Sequence, residues 1–155
     1  MIRAIAAIDE KRGLARDGDI PWKIPEDVKY YRDKTEHSTI IMGRDTYEGF
    51  AKPLVNRRNV VISRTLQTVR EGFELVHDVD AFLVQATEDI WNIGGAGIFE
   101  STLGYCDELY LTHVAGDFNC DRFFPEYDDY KLVTRSPDRE QNGHRFYYAV
   151  YAKNR

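Results

Sequence analysis

The chain has 155 residues, of which 43% are hydrophobic and 13% aromatic, and its formal net charge is −5. This length is typical of one domain that buries roughly 70% of its unfolded surface, which is enough for a hydrophobic core. The acidic balance and the lack of a basic block argue against nucleic-acid binding, because affinity for phosphates depends on clustered Lys and Arg.

Cysteines, histidines and apolar runs exclude further classes of protein. The two cysteines are too few for a disulfide framework, and the four histidines are scattered, so we expect no metal site. No stretch approaches the ~18 apolar residues of a membrane span, and the apolar run at residues 2–8 is too short for a signal peptide. We therefore expect a single domain over residues 1–155, monomeric and cytoplasmic, with no membrane partner.

The chain begins with an apolar run and a charged loop. Residues 2–8 predict a buried first strand. Residues 9–19 contain Gly13, Gly18 and many charged side chains, a composition that predicts a mobile surface loop of the kind that often covers a site. Trp22 follows this loop, and we expect its ring to return the chain to the domain.

A helix is predicted from Pro25 to about Thr35, because proline suits the first helical turn. Apolar residues at i, i+4 and i+7 predict a stripe that faces the core. Asp27 lies on the apolar side, and a buried carboxylate requires hydrogen bonds or a function. The alternative is a solvated acid that interacts favourably with the helix dipole, and position alone does not separate the two. The stripe consists of Ile24, Val28 and Tyr31, and the residues predicted to face water are Glu26, Lys29, Arg32 and Asp33.

The next segments alternate between strands and helices. Residues 39–42 and 60–63 predict buried strands, and residues 73–76 predict a weaker one. The first of these leads directly into a short helix that ends near Phe50. Asp78 is placed to cap the next helix.

The second half of the chain repeats this pattern and then changes it. Residues 89–93 predict a strand that leads into a helix, and residues 108–114 predict the next strand. Two antiparallel strands are predicted at residues 130–135 and 145–152, joined by a loop that contains Asn142-Gly143 and is longer than a two-residue turn. The expected fold is therefore α/β, with a mostly parallel central sheet, flanking helices and a C-terminal antiparallel hairpin.

Glycines follow two buried strands at points where a helix begins, at Gly43-Arg44-Asp45-Thr46 and at Gly94-Gly95-Ala96-Gly97. Helix N-termini offer free N–H groups to anions, and glycine lets a phosphate come close to the backbone. For either junction alone a tight turn is the simpler interpretation, and neither has the GxGxxG spacing of a dinucleotide fingerprint. Together with Arg44 and Arg64 at the ends of neighbouring strands, the two junctions favour a phosphate-bearing ligand.

Arg57 and His113 are further candidates. Arg57 lies in a short connection where its guanidinium could bind a carboxylate with two hydrogen bonds, although a solvated surface arginine is the simpler interpretation. His113 lies in an apolar strand, where a hydrogen-bonded structural histidine is more common than a catalytic one. No Ser-His-Asp or Cys-His arrangement predicts a nucleophile.

Five motifs in register resemble those of the dihydrofolate reductase family and cover essentially the whole chain. Each motif alone is unspecific, but the order and spacing of all five make the match specific. They are Pro21-Trp22-Lys23-Ile24-Pro25-Glu26-Asp27, Ile41-Met42-Gly43-Arg44-Asp45-Thr46-Tyr47-Glu48, Ile93-Gly94-Gly95-Ala96, Leu109-Tyr110-Leu111-Thr112-His113, and Asp121 with Phe124-Pro125.

The resemblance implies an oxidoreductase of tetrahydrofolate biosynthesis and one-carbon metabolism. Such an enzyme reduces 7,8-dihydrofolate to 5,6,7,8-tetrahydrofolate with NADPH, by hydride transfer to C6 and protonation at N5 of the pterin. The resemblance also implies binding of antifolates such as trimethoprim or methotrexate.

By resemblance, Asp27 accepts hydrogen bonds from N3 and the 2-amino group of the pterin, and Thr112 is linked to it. A water is expected to deliver the proton to N5, gated by Ile20 and Trp22. The direction of the Asp27 pKa shift stays open at this point, because an apolar pocket raises the pKa and a helix N-terminus lowers it.

The resemblance further implies a folate pocket and a cofactor pocket. Ile5 and Ile93 are expected to offer carbonyl oxygens to the pterin, and Arg57 to bind the glutamate α-carboxylate. The apolar wall of the folate pocket consists of Val28, Tyr31, Phe50 and Leu54. The cofactor residues are Ala6, Ala7, Ile20, Gly43, Arg44, Asp45, Thr46, Ser63, Arg64, Gly94, Gly95, Ala96, Gly97 and Ile98. Of these, Arg44, Ser63 and Arg64 are expected to select the 2′-phosphate of NADP, and the Gly94–Gly95 peptide is expected to be cis.

Three positions depart from the family pattern, and two rival functions stay open. Asp45 brings a negative charge near phosphates and Gly97 removes a common arginine, so we expect weaker cofactor binding, and Cys120 replaces a frequent glycine. A non-catalytic pterin- or NADP-binding protein, for example in a virus particle, is compatible with the first two departures. A pyrimidine reductase of riboflavin synthesis shares the fold, but its substrate has no glutamate. The presence of Arg57 and Asp27 therefore argues against this function.

Overall fold

The computed structural model describes residues 1–154, in which helices and strands alternate along most of the chain. The helices are α1 (Pro25–Thr35), α2 (Arg44–Gly49), α3 (Val79–Gln85) and α4 (Ala96–Thr102), the last continued by a 3-10 turn at Leu103–Tyr105. The strands are β1 (Ile2–Ile8), β2 (Gly13–Ala15), β3 (Thr39–Gly43), β4 (Arg58–Ile62), β5 (Phe73–Val76), β6 (Ile90–Asn92), β7 (Glu108–Val114), β8 (Arg122–Phe123), β9 (Tyr130–Arg135), β10 (Arg139–Gln141) and β11 (His144–Lys153).

A nine-stranded sheet forms the centre of the fold, in the order β10-β11-β7-β1-β6-β3-β4-β5, with β9 also pairing with β11. The pairings among β1, β3, β4, β5, β6 and β7 are parallel. β11 runs antiparallel to β7, β9 and β10. This arrangement confirms the predicted α/β fold, because parallel neighbours require crossover connections, and helices lie in all of these connections except the one between β4 and β5.

Apolar residues on both faces of the parallel strands form the core. Ile5 and Trp91 belong to the cluster on one face, and Val60 and Ile90 belong to the cluster on the other. β3 contributes to both clusters and is buried along its whole length, as expected for a strand covered on both sides. Aromatic side chains of α1 pack on the face with Ile5 and Trp91, and this face carries the candidate site.

The segment after β1 is more ordered than its composition predicts. Residues 13–15 form β2, which pairs with β8, so the segment predicted to be a mobile surface loop contains a short strand that the prediction missed. Asp9 is 2% exposed, and its carboxylate accepts backbone N–H groups of Lys11, Gly13 and Phe118. Burial alone raises the pKa of Asp9, but these hydrogen bonds outweigh it and the pKa is lowered. The charged segment is therefore tied to the domain through a buried, ionised carboxylate.

The C-terminal strands also differ from the prediction. β9 and β11 are antiparallel as expected, but β10 lies between them along the chain and pairs with the first residues of β11. The connection from β9 to β11 is longer than a two-residue turn, as expected, but it contains the unpredicted strand β10. Gln141 lies opposite His144, so Asn142-Gly143 forms a two-residue turn between β10 and β11. Both turn residues have positive φ, 52° and 76°, which is the geometry that an Asn-Gly hairpin turn adopts.

Other predicted elements lie where the pattern indicates. Asp78 caps α3 by accepting the Ala81 N–H at 3.1 Å. Trp22 and Ile24 pack against Val114 and Phe146, which returns the front segment to the domain as predicted. No helix within residues 1–154 is long and apolar enough to span a membrane.

Candidate active site

Asp27 and Thr112 form a short hydrogen-bonded pair where α1 meets β7. The Thr112 hydroxyl donates to Asp27 Oδ1 at 2.6 Å, and Thr112 is only 2% exposed. The two residues are 85 positions apart in the sequence. The Asp27 carboxylate is thus turned towards the sheet, which contradicts the alternative of a solvated acid in the first turn of the helix.

The surroundings of Asp27 disfavour its ionised form. Burial raises the pKa of Asp27, and the hydrogen bond from Thr112 opposes this rise only in part. The negative charge of the neighbouring Glu26 raises the pKa further. The pKa of Asp27 is therefore raised, a direction that the sequence alone does not determine. Raised pKa values are common for acids in functional sites.

The two glycine junctions meet at the carboxyl ends of the neighbouring strands β3 and β6. The Gly43 N–H donates to the Gly94 carbonyl at 2.8 Å, and the Gly94 N–H donates to Asn92 Oδ1 at 3.0 Å. The Gly94–Gly95 peptide is cis, as expected. A Cβ on Gly43 would come within 2.9 Å of the Ile98 side chain. α2 and α4 therefore begin side by side, at backbone that only glycine allows to approach so closely.

Arg57 is held in place by three hydrogen bonds. Its Nε donates to Thr35 Oγ1 at 3.1 Å, its Nη1 to the Val55 carbonyl at 2.6 Å and its Nη2 to the Arg32 carbonyl at 2.6 Å. All three acceptors are neutral, so these contacts orient the guanidinium without neutralising its charge. Arg57 is thus a partly buried arginine whose guanidinium is oriented by the folded chain.

A family model described as Dihydrofolate reductase matches residues 1–153. The chain belongs to the dihydrofolate reductase family. It is 34% identical over 159 residues to Dihydrofolate reductase of Bacillus subtilis (strain 168), and the match covers 99% of this chain and 95% of that protein. It is 37% identical over 129 residues to Dihydrofolate reductase type 3 of Salmonella typhimurium, and the match covers 82% of this chain and 80% of that protein.

Among solved structures, the chain is similar to Dihydrofolate reductase from Enterococcus faecalis complexed with NADP(H) and RAB-propyl. The TM-score is 0.90 at 31% identity, and the match covers 100% of this chain and 97% of that one. These similarities confirm both the family and the fold that the five motifs predict.

Most residues that the dihydrofolate reductase resemblance assigns to the folate pocket lie on one face of the sheet. Ile5 is buried in β1 beside Trp91, and partly buried side chains from α1, the α2–β4 connection and the position directly after β6 pack against their cluster. These side chains are Tyr31, Phe50, Leu54 and Ile93. The folded chain thus brings together residues that are far apart in the sequence.

Val28 departs from the predicted inward stripe. Ile24 is 3% exposed, as predicted, but Val28 is 50% exposed. Within α1 only Thr35 is buried, and Tyr30 and Tyr31 are partly buried against the core, so the helix contacts the sheet through these side chains and leaves Val28 largely uncovered. Helical periodicity predicts which residues share a face, but it does not predict how closely that face approaches the sheet.

The three residues assigned to the 2′-phosphate lie after β3 and β4. Arg44 is exposed and pairs with Glu48 at 3.1 Å, one turn along α2. Such a surface pair contributes only about 0.3–0.5 kcal/mol, so it leaves Arg44 free to change partner. Ser63 Oγ accepts the Leu66 N–H at 3.1 Å, and Arg64 is exposed.

The remaining cofactor candidates divide into partly buried and exposed residues. Asp45 and Gly97 are exposed, and nothing lies within 4 Å of a Cβ built on Gly97. The partly buried ones are Ala6, Ala7, Thr46, Gly95, Ala96 and Ile98. The exposed pair is the one that departs from the family pattern.

The two predicted gate residues lie in different surroundings. Ile20 is 62% exposed, whereas Trp22 is 5% exposed and contacts the Phe118 ring edge to face, with ring centroids 5.1 Å apart. Trp22 therefore anchors the front segment to the domain, whereas most of the Ile20 side chain is in contact with solvent.

His113 lies on the face of the sheet opposite Thr112, because consecutive strand residues point to opposite sides. Its Nε2 is 2.7 Å from the Tyr151 hydroxyl, and its ring stacks on Tyr147. These contacts support the structural interpretation of His113. Within residues 1–154, no group of three or more His, Cys, Asp or Glu is arranged to hold a metal ion.

Glu26 lies on the water-facing side of α1, as predicted, but the sequence does not predict its partners. Its carboxylate binds Arg139 and the Tyr148 hydroxyl. The partners lie 113 and 122 positions further along the chain, so no local signal could reveal them.

Asp27→Asn is expected to raise the melting temperature at neutral pH. Because the pKa of Asp27 is raised on folding, the folded state binds a proton more tightly than the unfolded state, and stability falls as the pH rises through this pKa. Asparagine has no charge to desolvate and avoids that loss. Thermal melts at neutral and acid pH test this: the gain of a few degrees is expected at neutral pH only, and a less stable variant there contradicts it.

Proposed function

We propose that this protein reduces 7,8-dihydrofolate to 5,6,7,8-tetrahydrofolate with NADPH, by hydride transfer to C6 and protonation at N5. The observation that carries the proposal is the Asp27–Thr112 pair in a chain of the dihydrofolate reductase family. An ionised carboxylate offers about four lone-pair positions, and Thr112 uses one of them. The others suit the parallel N–H donors at N3 and the 2-amino group of a pterin.

In this proposal Asp27 orients the pterin and favours its protonation. An ionised carboxylate in apolar surroundings stabilises a positive charge next to it, here on a pterin protonated at N5. A water carries the proton, and Ile20 with Trp22 controls the access of water. The exposure of Ile20 and the packing of Trp22 on Phe118 support this proposal, because Trp22 holds the segment to the domain while the Ile20 side chain is not packed against it.

The rest of the folate is proposed to extend from Asp27 towards Arg57. The carbonyl oxygens of Ile5 and Ile93 bind the pterin edge, and Arg57 binds the α-carboxylate of the glutamate. The three neutral acceptors of Arg57 support this role, because they fix its guanidinium and leave its charge for a ligand. The apolar wall between them consists of Val28, Tyr31, Phe50 and Leu54.

The residues near the glycine junctions fit NADPH, which when bound supplies the hydride. Gly43 and Gly95 give a ligand close access to the backbone, and Arg44, Ser63 and Arg64 are proposed to bind the 2′-phosphate. Asp45 opposes this binding, because it places a negative charge next to Arg44. The other proposed cofactor residues are Ala6, Ala7, Ile20, Thr46, Gly94, Ala96, Gly97 and Ile98.

We further propose that residues 1–155 act as one monomeric domain in the cytoplasm, in tetrahydrofolate biosynthesis. Antifolates such as trimethoprim or methotrexate are proposed ligands, because a diaminopyrimidine ring offers Asp27 the same paired N–H groups.

The proposed function is tested by following NADPH absorbance with dihydrofolate and repeating the assay with NADH. We expect turnover with NADPH and a lower kcat/KM with NADH. Binding of both ligands without turnover would indicate the non-catalytic protein that Asp45 and Gly97 keep open. Activity restricted to a ribitol-phosphate pyrimidine would indicate the riboflavin-pathway reductase.

A further inference from the structure

Glu26 precedes Asp27 in α1 and is held by both strands of the β10–β11 hairpin. Arg139 donates from Nε and Nη2 to the two carboxylate oxygens of Glu26, the second contact at 3.0 Å. The Tyr148 hydroxyl donates to Glu26 Oε2 at 3.0 Å. The backbone N–H of Glu26 donates to Gln141 Oε1 at 2.7 Å. Gln141 thus accepts a hydrogen bond from an N–H group in the first turn of α1. The N-cap residue Ile24 has no side-chain acceptor that could do so.

The two neighbouring carboxylates contact one cross-strand pair. Tyr148 and Thr112 lie opposite each other in the antiparallel pairing of β11 with β7. Successive helical residues project about 100° apart, so Glu26 meets Tyr148 while Asp27 meets Thr112. Tyr30, one turn later, stacks on Tyr148 with ring centroids 4.0 Å apart. The start of α1 is therefore fixed across two adjacent strands, and this determines where the Asp27 carboxylate points.

The same contacts keep a negative charge beside Asp27. The hydrogen bond from Arg139 is the main cause that holds the pKa of Glu26 below its ordinary value. Glu26 is therefore ionised over the pH range in which Asp27, with its raised pKa, takes up a proton. The other groups that act on Asp27 are the Thr112 hydroxyl on β7 and the phenols of Tyr30 on α1 and Tyr148 on β11, whose own pKa values are raised.

We propose that Glu26 is a positioning residue for the reduction: clamped by Arg139, Gln141 and Tyr148, it fixes the direction of the Asp27 carboxylate and holds a negative charge beside it. Glu26 acts through Asp27 and does not touch the substrate. This inference rests on the proposed function, because it assigns a role within the same site.

Two variants separate the charge of Glu26 from the clamp. Glu26→Gln removes the charge and keeps the size of the side chain, whereas Arg139→Ala breaks the clamp and keeps the charge. We expect the pKa of Asp27, read from the pH titration of its carboxyl 13C resonance without ligands, to fall in Glu26→Gln and not in Arg139→Ala. The resonance is assigned by its loss in Asp27→Asn. An unmoved titration midpoint in Glu26→Gln overturns the charge effect.

Steady-state kinetics test the clamp itself. Arg139→Ala is expected to lower kcat/KM for dihydrofolate about tenfold, because Asp27 loses its fixed direction, and Arg139→Lys is expected to restore part of it. Asp138→Asn is the matched control: it breaks the 2.6 Å pair with Arg135 in the same segment and is expected to change nothing.

A folded Arg139→Ala protein with unchanged kcat/KM overturns the positioning role, and so does an equal loss in Asp138→Asn. Thermal melts establish folding for each variant. Absence of turnover in the unmodified protein contradicts the proposed function instead, and the 13C titration still tests Glu26 in that case because it requires no turnover.

Discussion

Asp27→Asn is expected to lower kcat for dihydrofolate reduction at neutral pH by about 10²–10⁴-fold, the range that loss of a positioned acid–base group produces. The Asn amide keeps the size of the side chain and can accept from Thr112. The amide cannot accept hydrogen bonds from two parallel N–H groups as a carboxylate does, because only one of its two terminal atoms is an acceptor. It also carries no charge that could stabilise a protonated pterin. The loss is therefore expected in the chemical step more than in cofactor binding.

The activity of Asp27→Asn is expected to return in part as the pH falls, because the substrate then arrives already protonated at N5. The measurement is kcat and KM for dihydrofolate across acid to alkaline pH, with NADPH affinity as the control. Thermal melts of the same variant, which is expected to be more stable at neutral pH, show whether it is folded under the assay conditions. A variant as active as the parent at neutral pH would remove Asp27 from the mechanism.

The parts of the fold that sequence can predict are those with a local cause. The apolar runs of β3 and β7 predict buried strands, and Pro25 predicts the start of α1. The Gly43 and Gly94 junctions are expected to meet, because the carboxyl ends of parallel strands share one edge of the sheet. The resemblance extends the prediction to the Asp27–Thr112 contact, which no local pattern reveals.

The parts that sequence does not predict depend on partners far along the chain. The charged composition around Asp9 suggests a free loop, but an N–H group from Phe118, 109 positions away, helps to bury this carboxylate. Glu26 looks like a solvated surface acid until folding brings Arg139 to it. In both cases the residue types are compatible with two environments, and only the packing of the sheet selects one.

Arg57→Ala is expected to raise KM for dihydrofolate about 5- to 150-fold, which corresponds to about 1–3 kcal/mol for a lost charged hydrogen bond. The guanidinium is fixed by Thr35, Val55 and Arg32, so the folded protein has already ordered the side chain that is proposed to bind the ligand carboxylate. Because the proposed contact is remote from C6 and N5, it is expected to stabilise substrate and transition state alike, and kcat is expected to change little.

The matched control for this prediction is the adjacent arginine. Arg58 forms ion pairs with Glu74 and Glu88, so Arg58→Ala is expected to affect stability and to leave KM for dihydrofolate unchanged. A dihydropterin without the p-aminobenzoylglutamate tail provides a second control, because it lacks the carboxylate that Arg57 is proposed to bind. With this substrate, kcat/KM of Arg57→Ala is expected to equal that of the parent protein. If KM for dihydrofolate is unchanged in Arg57→Ala, or if kcat/KM for the truncated substrate falls by the same factor, Arg57 stabilises the connection before β4 and does not bind the glutamate.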